Sequence, residues 1–115
     1  MIGIDIIETK RIKKLIKNKK FLKRVFNEEE IKYCESKKNK EQHYSARFAA
    51  KEAVWKAFAG RYSLPLKNIV IKNIKNGKPE VKIDHKKLNK LKIEVSLSHT
   101  KEYAVAVAIV LNSYV

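Results

Sequence analysis

The chain has 115 residues, enough for one domain and too few for two, and 44% of them are apolar, so a packed core is available. Its 27 lysines and arginines against 12 acidic residues leave a net charge of +15. That calls for an anionic partner: a nucleic acid, a phosphorylated ligand, an acidic protein or an anionic membrane. A single cysteine, Cys34, excludes an internal disulfide or a paired-cysteine metal site, and no apolar run approaches membrane-spanning length.

Residues 2–7 (Ile-Gly-Ile-Asp-Ile-Ile) predict a short buried strand interrupted by one carboxylate, Asp5. This start lacks the basic head and long apolar stretch of a signal peptide, and the expected compartment is the reducing cytoplasm. A helix is expected from Thr9, with Ile12, Leu15 and Ile16 on one face and lysines around the rest. Phe21, Leu22, Val25 and Phe26 follow. Asn27 and Glu30 have the spacing of a capping box that opens a helix carrying Ile31 and Cys34 inward. Residues 35–41 are polar and read as a loop or a frayed helix end.

The strongest helical pattern runs from about Tyr44 to Ala59, with Gly60 as its stop. Two antiparallel hairpins complete the chain. One pairs 69–74 with 80–83 across Asn76-Gly77-Lys78-Pro79, and the other pairs 93–98 with 103–111 across His99-Thr100-Lys101-Glu102. In the last strand Tyr103, Val105, Val107, Ile109 and Leu111 share one face. Ala104, Ala106 and Ala108 share the other, where a second element can approach closely.

On a helical wheel, Tyr44, Phe48, Trp55 and Phe58 form an aromatic side of the 44–59 helix, and Ala46, Ala50, Ala53 and Ala57 form a small side. A helix apolar on two faces is expected to be enclosed, yet Arg47, Lys51, Glu52 and Lys56 lie in the seams. Glu52 and Lys56, spaced i, i+4, are either a surface ion pair of about 0.3–0.5 kcal/mol or two charges lining a polar pocket. Asp5 runs against strand propensity. It either bonds backbone amides at a strand end or joins Glu52 in holding a hard cation, since two carboxylates with substrate phosphates and water are a common Mg²⁺ arrangement.

At these residues the chain resembles the holo-acyl-carrier-protein synthase family, small 4′-phosphopantetheinyl transferases. The resemblance is carried by Gly3-Ile4-Asp5-Ile6 and by the segment from Arg47 to Phe58, which holds the pattern Phe-x-x-Lys-Glu-Ala-x-x-Lys-Ala in full. Ser96-Leu97-Ser98-His99-Thr100 and the Gly77-Lys78-Pro79 turn add to it. The resemblance implies an α/β fold of the α+β type, an antiparallel sheet packed on a central helix, assembled as a homotrimer with active sites between subunits. It implies Asp5 and Glu52 as Mg²⁺ ligands and Lys56 beside the pyrophosphate of coenzyme A. It further implies coenzyme contacts from Lys51, Gly77, Lys78, Pro79, His99 and Thr100, with His99 able to relay a proton.

The expected reaction moves 4′-phosphopantetheine from coenzyme A to a serine of an apo acyl carrier protein and releases adenosine 3′,5′-bisphosphate. Because such carriers are acidic, Arg11, Lys14, Lys17 and Arg24 are expected to steer one, with Phe21 as an apolar anchor. The competing expectation is a small basic nucleic-acid-binding protein. Against it stand the scarcity of arginine (Arg11, Arg24, Arg47 and Arg61), the lack of a nucleic-acid motif, and the placing of Phe48 and Trp55 in an enclosed helix.

Overall fold

Alternation in the first strand sets the layering. In β1 (Ile2–Glu8), Gly3 and Ile7 are buried and Asp5 half-buried, while Ile2, Ile4 and Ile6 point outward. The computed structural model describes residues 1–73 and 77–112. It pairs β1 antiparallel with β5 (Tyr103–Val110), which pairs on its other edge with β4 (Ile93–His99). Asp5 lies opposite Ala106, and Ala106 opposite Leu97.

Across the inner face of this sheet runs the long helix α4 (Lys40–Ala57). The contact is small on small: Ala49, Ala50, Ala53 and Ala57 of the helix and Ala104, Ala106 and Ala108 of β5 are all buried. Gly3 shows how close the layers come. A Cβ there would overlap the Ala53 carbonyl oxygen and lie 2.5 Å from the Ala57 amide nitrogen.

The remaining helices wrap the other side of α4. α1 (Thr9–Leu15) buries Ile12, and Asn18 then starts α2 (Lys19–Val25) by accepting from the amides of Lys20 at 2.9 Å and Phe21 at 3.3 Å. α3 (Glu28–Glu35) opens with the expected capping box between Asn27 and Glu30. α4 begins at Lys40, a turn earlier than expected, and stops where Ala59 (φ 51°) and Gly60 (φ 78°) turn left-handed.

A 3₁₀ turn (Leu66–Asn68) leads into β2 (Ile69–Asn73), which among the described residues pairs only with β3 (Pro79–Ile83), Ile71 opposite Val81. Of the expected hairpin, Ile74 and Asn76 lie outside the described residues. The core is continuous from Ile7 and Ile12 through Phe26, Tyr44 and Phe58 to Ile69, Ile83 and Val110.

One expectation fails. Trp55 is not enclosed with its helix but 47% exposed, because sheet and helices cover the faces of α4 bearing Phe48 and Ala53, and among the described residues nothing covers the strip at 55. The outward sheet face is also uncovered. Ile2, Ile4, Ile6, Tyr103 and Ile109 are exposed there, and Val105 and Val107 half-buried.

Candidate active site

Three charged side chains converge at the junction of β1 with the C-terminal half of α4. Asp5 is on the helix-facing side of its strand, its side chain only 14% exposed. Lys56 reaches it from one helical turn beyond Glu52 and donates from Nζ to Asp5 Oδ1 at 2.9 Å and to the Ile4 carbonyl at 3.2 Å. Glu52 is the third. Burial, and next the charge of Asp5, push its carboxyl above the usual carboxylate range; Lys56 and Arg11 pull it back down. The two acids, distant in sequence, thus sit within each other's field, and Arg11 of α1 adds a second cation.

Two half-buried carboxylates this close, Asp5 raising the proton affinity of Glu52, fit a divalent cation, whose charge relieves their repulsion. Among the described residues no third acidic, histidine or cysteine side chain joins them. That suits Mg²⁺, which fills its remaining positions with water and substrate phosphate oxygens.

The other expected site residues are dispersed. His99 ends β4 opposite Ala104, which lies opposite Ile7, so two strand spacings separate it from β1. Thr100 shapes the following turn: its amide donates to the Tyr103 carbonyl at 2.8 Å, and its Oγ1 accepts from the amides of Glu102 at 3.2 Å and Tyr103 at 3.1 Å. Gly77 (φ 82°) and Pro79 belong to the β2–β3 hairpin, where Lys78 pairs with Glu94 at 3.4 Å.

Lys51 corrects its expectation. It does not line a coenzyme pocket but is fully buried, its ammonium 2.7 Å from Glu30 Oε1, 3.0 Å from the Leu66 carbonyl and 2.6 Å from that of Ile69. All three of its protons are taken. Phe21 is also partly corrected as a carrier anchor. Its ring is half-buried against Phe26 at 6.3 Å and Phe48 at 6.1 Å, because α2 turns it toward α4. Arg11, Lys14, Lys17 and Arg24 are exposed, as a docking surface requires.

A second cationic group was not foreseen. The His43 ring stands 5.7 Å from Tyr33 and 6.4 Å from His99, and the Arg47 guanidinium lies 4.0 Å over the Tyr33 ring while donating to Asn73 Oδ1 at 2.9 Å. Burial first, then Arg47, Lys37 and His99, push His43 below its ordinary value. Among the described residues, the buried Arg47 Nε has no hydrogen-bond partner. The i, i+4 spacing of His43 and Arg47 was the available signal, but it says nothing of His99, which only the sheet brings near.

With this geometry in hand, comparison with known proteins is decisive. The family described as ACPS, 4′-phosphopantetheinyl transferase superfamily, matches residues 1–108. This chain belongs to that superfamily. It is 48% identical over 111 residues to holo-[acyl-carrier-protein] synthase of Thermodesulfovibrio yellowstonii, covering 95% of this chain and 96% of that protein. It is 46% identical to the synthase of Ruminiclostridium cellulolyticum, covering 96% and 90%.

Among solved structures, the Helicobacter pylori synthase in complex with coenzyme A superposes with a TM-score of 0.84 at 32% identity, covering 96% of this chain and 99% of that one. The Bacillus anthracis synthase in complex with CoA (3′,5′-ADP) superposes with a TM-score of 0.80 at 35% identity, covering 95% and 93%. The α+β architecture, with its antiparallel sheets on α4, is therefore that of the transferase superfamily.

Proposed function

We propose that this chain is a holo-[acyl-carrier-protein] synthase: it transfers 4′-phosphopantetheine from coenzyme A to a serine of an apo acyl carrier protein and releases adenosine 3′,5′-bisphosphate. The observation that carries the reading is the convergence of Asp5, Glu52 and Lys56 at one strand–helix junction. The serine hydroxyl attacks the β-phosphorus of coenzyme A and gives up its proton to water, the new P–O bond forms as the bond to the bridging oxygen breaks, and adenosine bisphosphate leaves with that oxygen. Transfers of this kind depend mainly on positioning and on stabilising phosphate charge.

Asp5 and Glu52 would hold Mg²⁺, which would offset the negative charge built up on the pyrophosphate. Lys56 has a half-exposed side chain and can turn its ammonium from Asp5 to the same phosphates. Gly77, Lys78, Pro79, His99 and Thr100 are read as coenzyme contacts. Arg11, Lys14, Lys17 and Arg24 form a basic surface for an acidic carrier. The reading places the reaction in the cytoplasm; among the described residues no helix is long and apolar enough to cross a membrane.

The reading includes a homotrimer. The exposed apolar face of β1 and β5 needs a cover, and a second copy of the chain supplies one of matching character. Assembly around this face would bring the dispersed hairpin and turn residues of one subunit toward the acids of another. Incubation with apo carrier protein, coenzyme A and Mg²⁺, followed by intact mass measurement, tests the function. The carrier gains one phosphopantetheine group, and a chelator prevents it; no gain under these conditions overturns the assignment.

A further inference from the structure

The fully buried ion pair between Glu30 and Lys51 lies outside the proposed catalytic cluster, yet it joins the parts of the molecule that carry the site. Glu30 is 2% and Lys51 0% exposed. Glu30 Oε1 accepts from the Asn27 amide at 2.9 Å and from Lys51 Nζ at 2.7 Å, while Oε2 accepts from the Ile71 amide at 2.9 Å. Lys51 also donates to the carbonyls of Leu66 and Ile69. Glu30 opens α3, Lys51 precedes Glu52 in the middle of α4, and Leu66, Ile69 and Ile71 lead into and form β2.

Buried ion pairs are weak contributors to stability, since the cost of desolvating two charges offsets most of their attraction, and an apolar pair of similar volume often serves as well. What an apolar pair lacks is direction. In a strand, the backbone N–H and C=O of alternate residues face the same edge. One edge of β2 is taken by β3. On the other edge, the Ile69 carbonyl meets Lys51 and the Ile71 amide meets Glu30, so the ion pair takes the place of a neighbouring strand. A two-stranded hairpin is marginally stable by itself and depends on another element to hold it in place. Sliding β2 by two residues against this pair would carry the hairpin about 7 Å along its axis.

We propose that Glu30 and Lys51 are positioning residues that lock β2 in register against α4 and so fix the place of the Gly77-Lys78-Pro79 turn relative to Glu52. The inference rests on the reading of that turn as a coenzyme contact. It accounts for the lysine directly before Glu52: the residue pair aims one side chain at the metal and the other at the hairpin.

The test is the doubly substituted Glu30→Gln/Lys51→Met protein, which removes both charges at nearly constant volume, compared with wild type in the transfer assay. The expected result is unchanged far-UV circular dichroism and a KM for coenzyme A raised at least about tenfold, with a smaller change in kcat. Nuclear Overhauser contacts between the side chain at position 51 and Ile69, which meet across the α4–β2 junction in the native register, are expected to be lost or averaged. A folded double variant with wild-type KM and intact contacts between position 51 and Ile69 overturns the proposal.

If the double variant does not fold, Glu30→Gln alone decides by the same two readings, since it keeps an acceptor for one amide. The Overhauser reading does not depend on activity. Absence of transfer by the wild-type protein would therefore sink the functional reading while leaving the register claim to be judged separately.

Discussion

Lys56 donates to Asp5 Oδ1 at 2.9 Å, so an ammonium already holds a carboxylate oxygen that the proposed metal ion would need. The pairing orients Asp5 before substrate arrives. It also means that a divalent cation competes with an ammonium for the same oxygen. Lys56→Met is expected to bind Mn²⁺ more tightly than wild type in the absence of coenzyme A, read by electron paramagnetic resonance of free Mn²⁺. The same variant is expected to lose about 10²-fold or more in kcat for transfer. Unchanged Mn²⁺ affinity would show that the two cations do not share Asp5.

Glu52 carries a stability cost that its removal should reveal. Its carboxyl is raised above the ordinary 4.5, by burial first and then by Asp5, so the folded chain holds this proton more tightly than the unfolded chain. A group raised in this way favours the folded state when protonated, and that benefit is lost as pH rises through the folded value. In the presence of a chelator, Glu52→Gln is therefore expected to melt at or above the wild-type temperature at pH 7. The difference should shrink as pH is lowered toward 4.5. Transfer should be abolished. A clearly lower melting temperature at pH 7 would mean that ionised Glu52 is stabilising.

Local physics made most of the elements legible. The Asn27–Glu30 capping box, the Gly60 stop, the alternation of β5 and both hairpins follow from short-range spacing, and the structure contains them. Asp5 and Glu52 were linked by resemblance and by the chemistry of Mg²⁺, whereas only folding shows that they share a field. The misreadings have a common cause. A wheel places Trp55 on an isolated helix and a resemblance carries over the coenzyme contact of Lys51, but neither says which neighbour covers each. Here the β2 edge covers Lys51, and Trp55 is left open. His43 was missed because its approach to His99 joins α4 to the end of β4.

Gly3 tests the closeness of the first strand to α4. The Cβ of an alanine there would collide with the Ala53 carbonyl, and backbone cannot give way as a flexible side chain does. Gly3→Ala should destabilise the fold by about 1–3 kcal/mol or more, because strand and helix must separate. Chemical denaturation measures this. A wild-type midpoint would mean that the layers are less tightly packed than their backbones indicate.

The basic surface separates into two roles. Arg11 lowers the Glu52 carboxyl, so its reversal would disturb the acid pair as well as any carrier contact. Lys14 and Lys17 are exposed on and just beyond α1 and offer a cleaner probe. Lys14→Glu/Lys17→Glu is expected to raise the KM for carrier protein about tenfold or more at low salt, and less at high salt, with the KM for coenzyme A unchanged. Equal effects on both substrates would place these lysines in the coenzyme site instead.

The outward face of the three-stranded sheet carries the last prediction. Ile4, opposite Val107, is 63% exposed between Ile2 and Ile6, which are exposed to a similar degree. Its side chain points away from α4, so a charged replacement leaves the intramolecular core untouched. Any face-to-face contact with another copy, however, would have to bury that charge. Ile4→Lys is therefore expected to remain folded by circular dichroism but to sediment as a monomer where wild type sediments as a trimer. It should also lose transfer, because the hairpin and turn residues would no longer meet the acids of a neighbouring subunit. If wild type sediments as a monomer, or if the monomeric variant transfers at the wild-type rate, the site is built within one chain and the apolar face serves another partner.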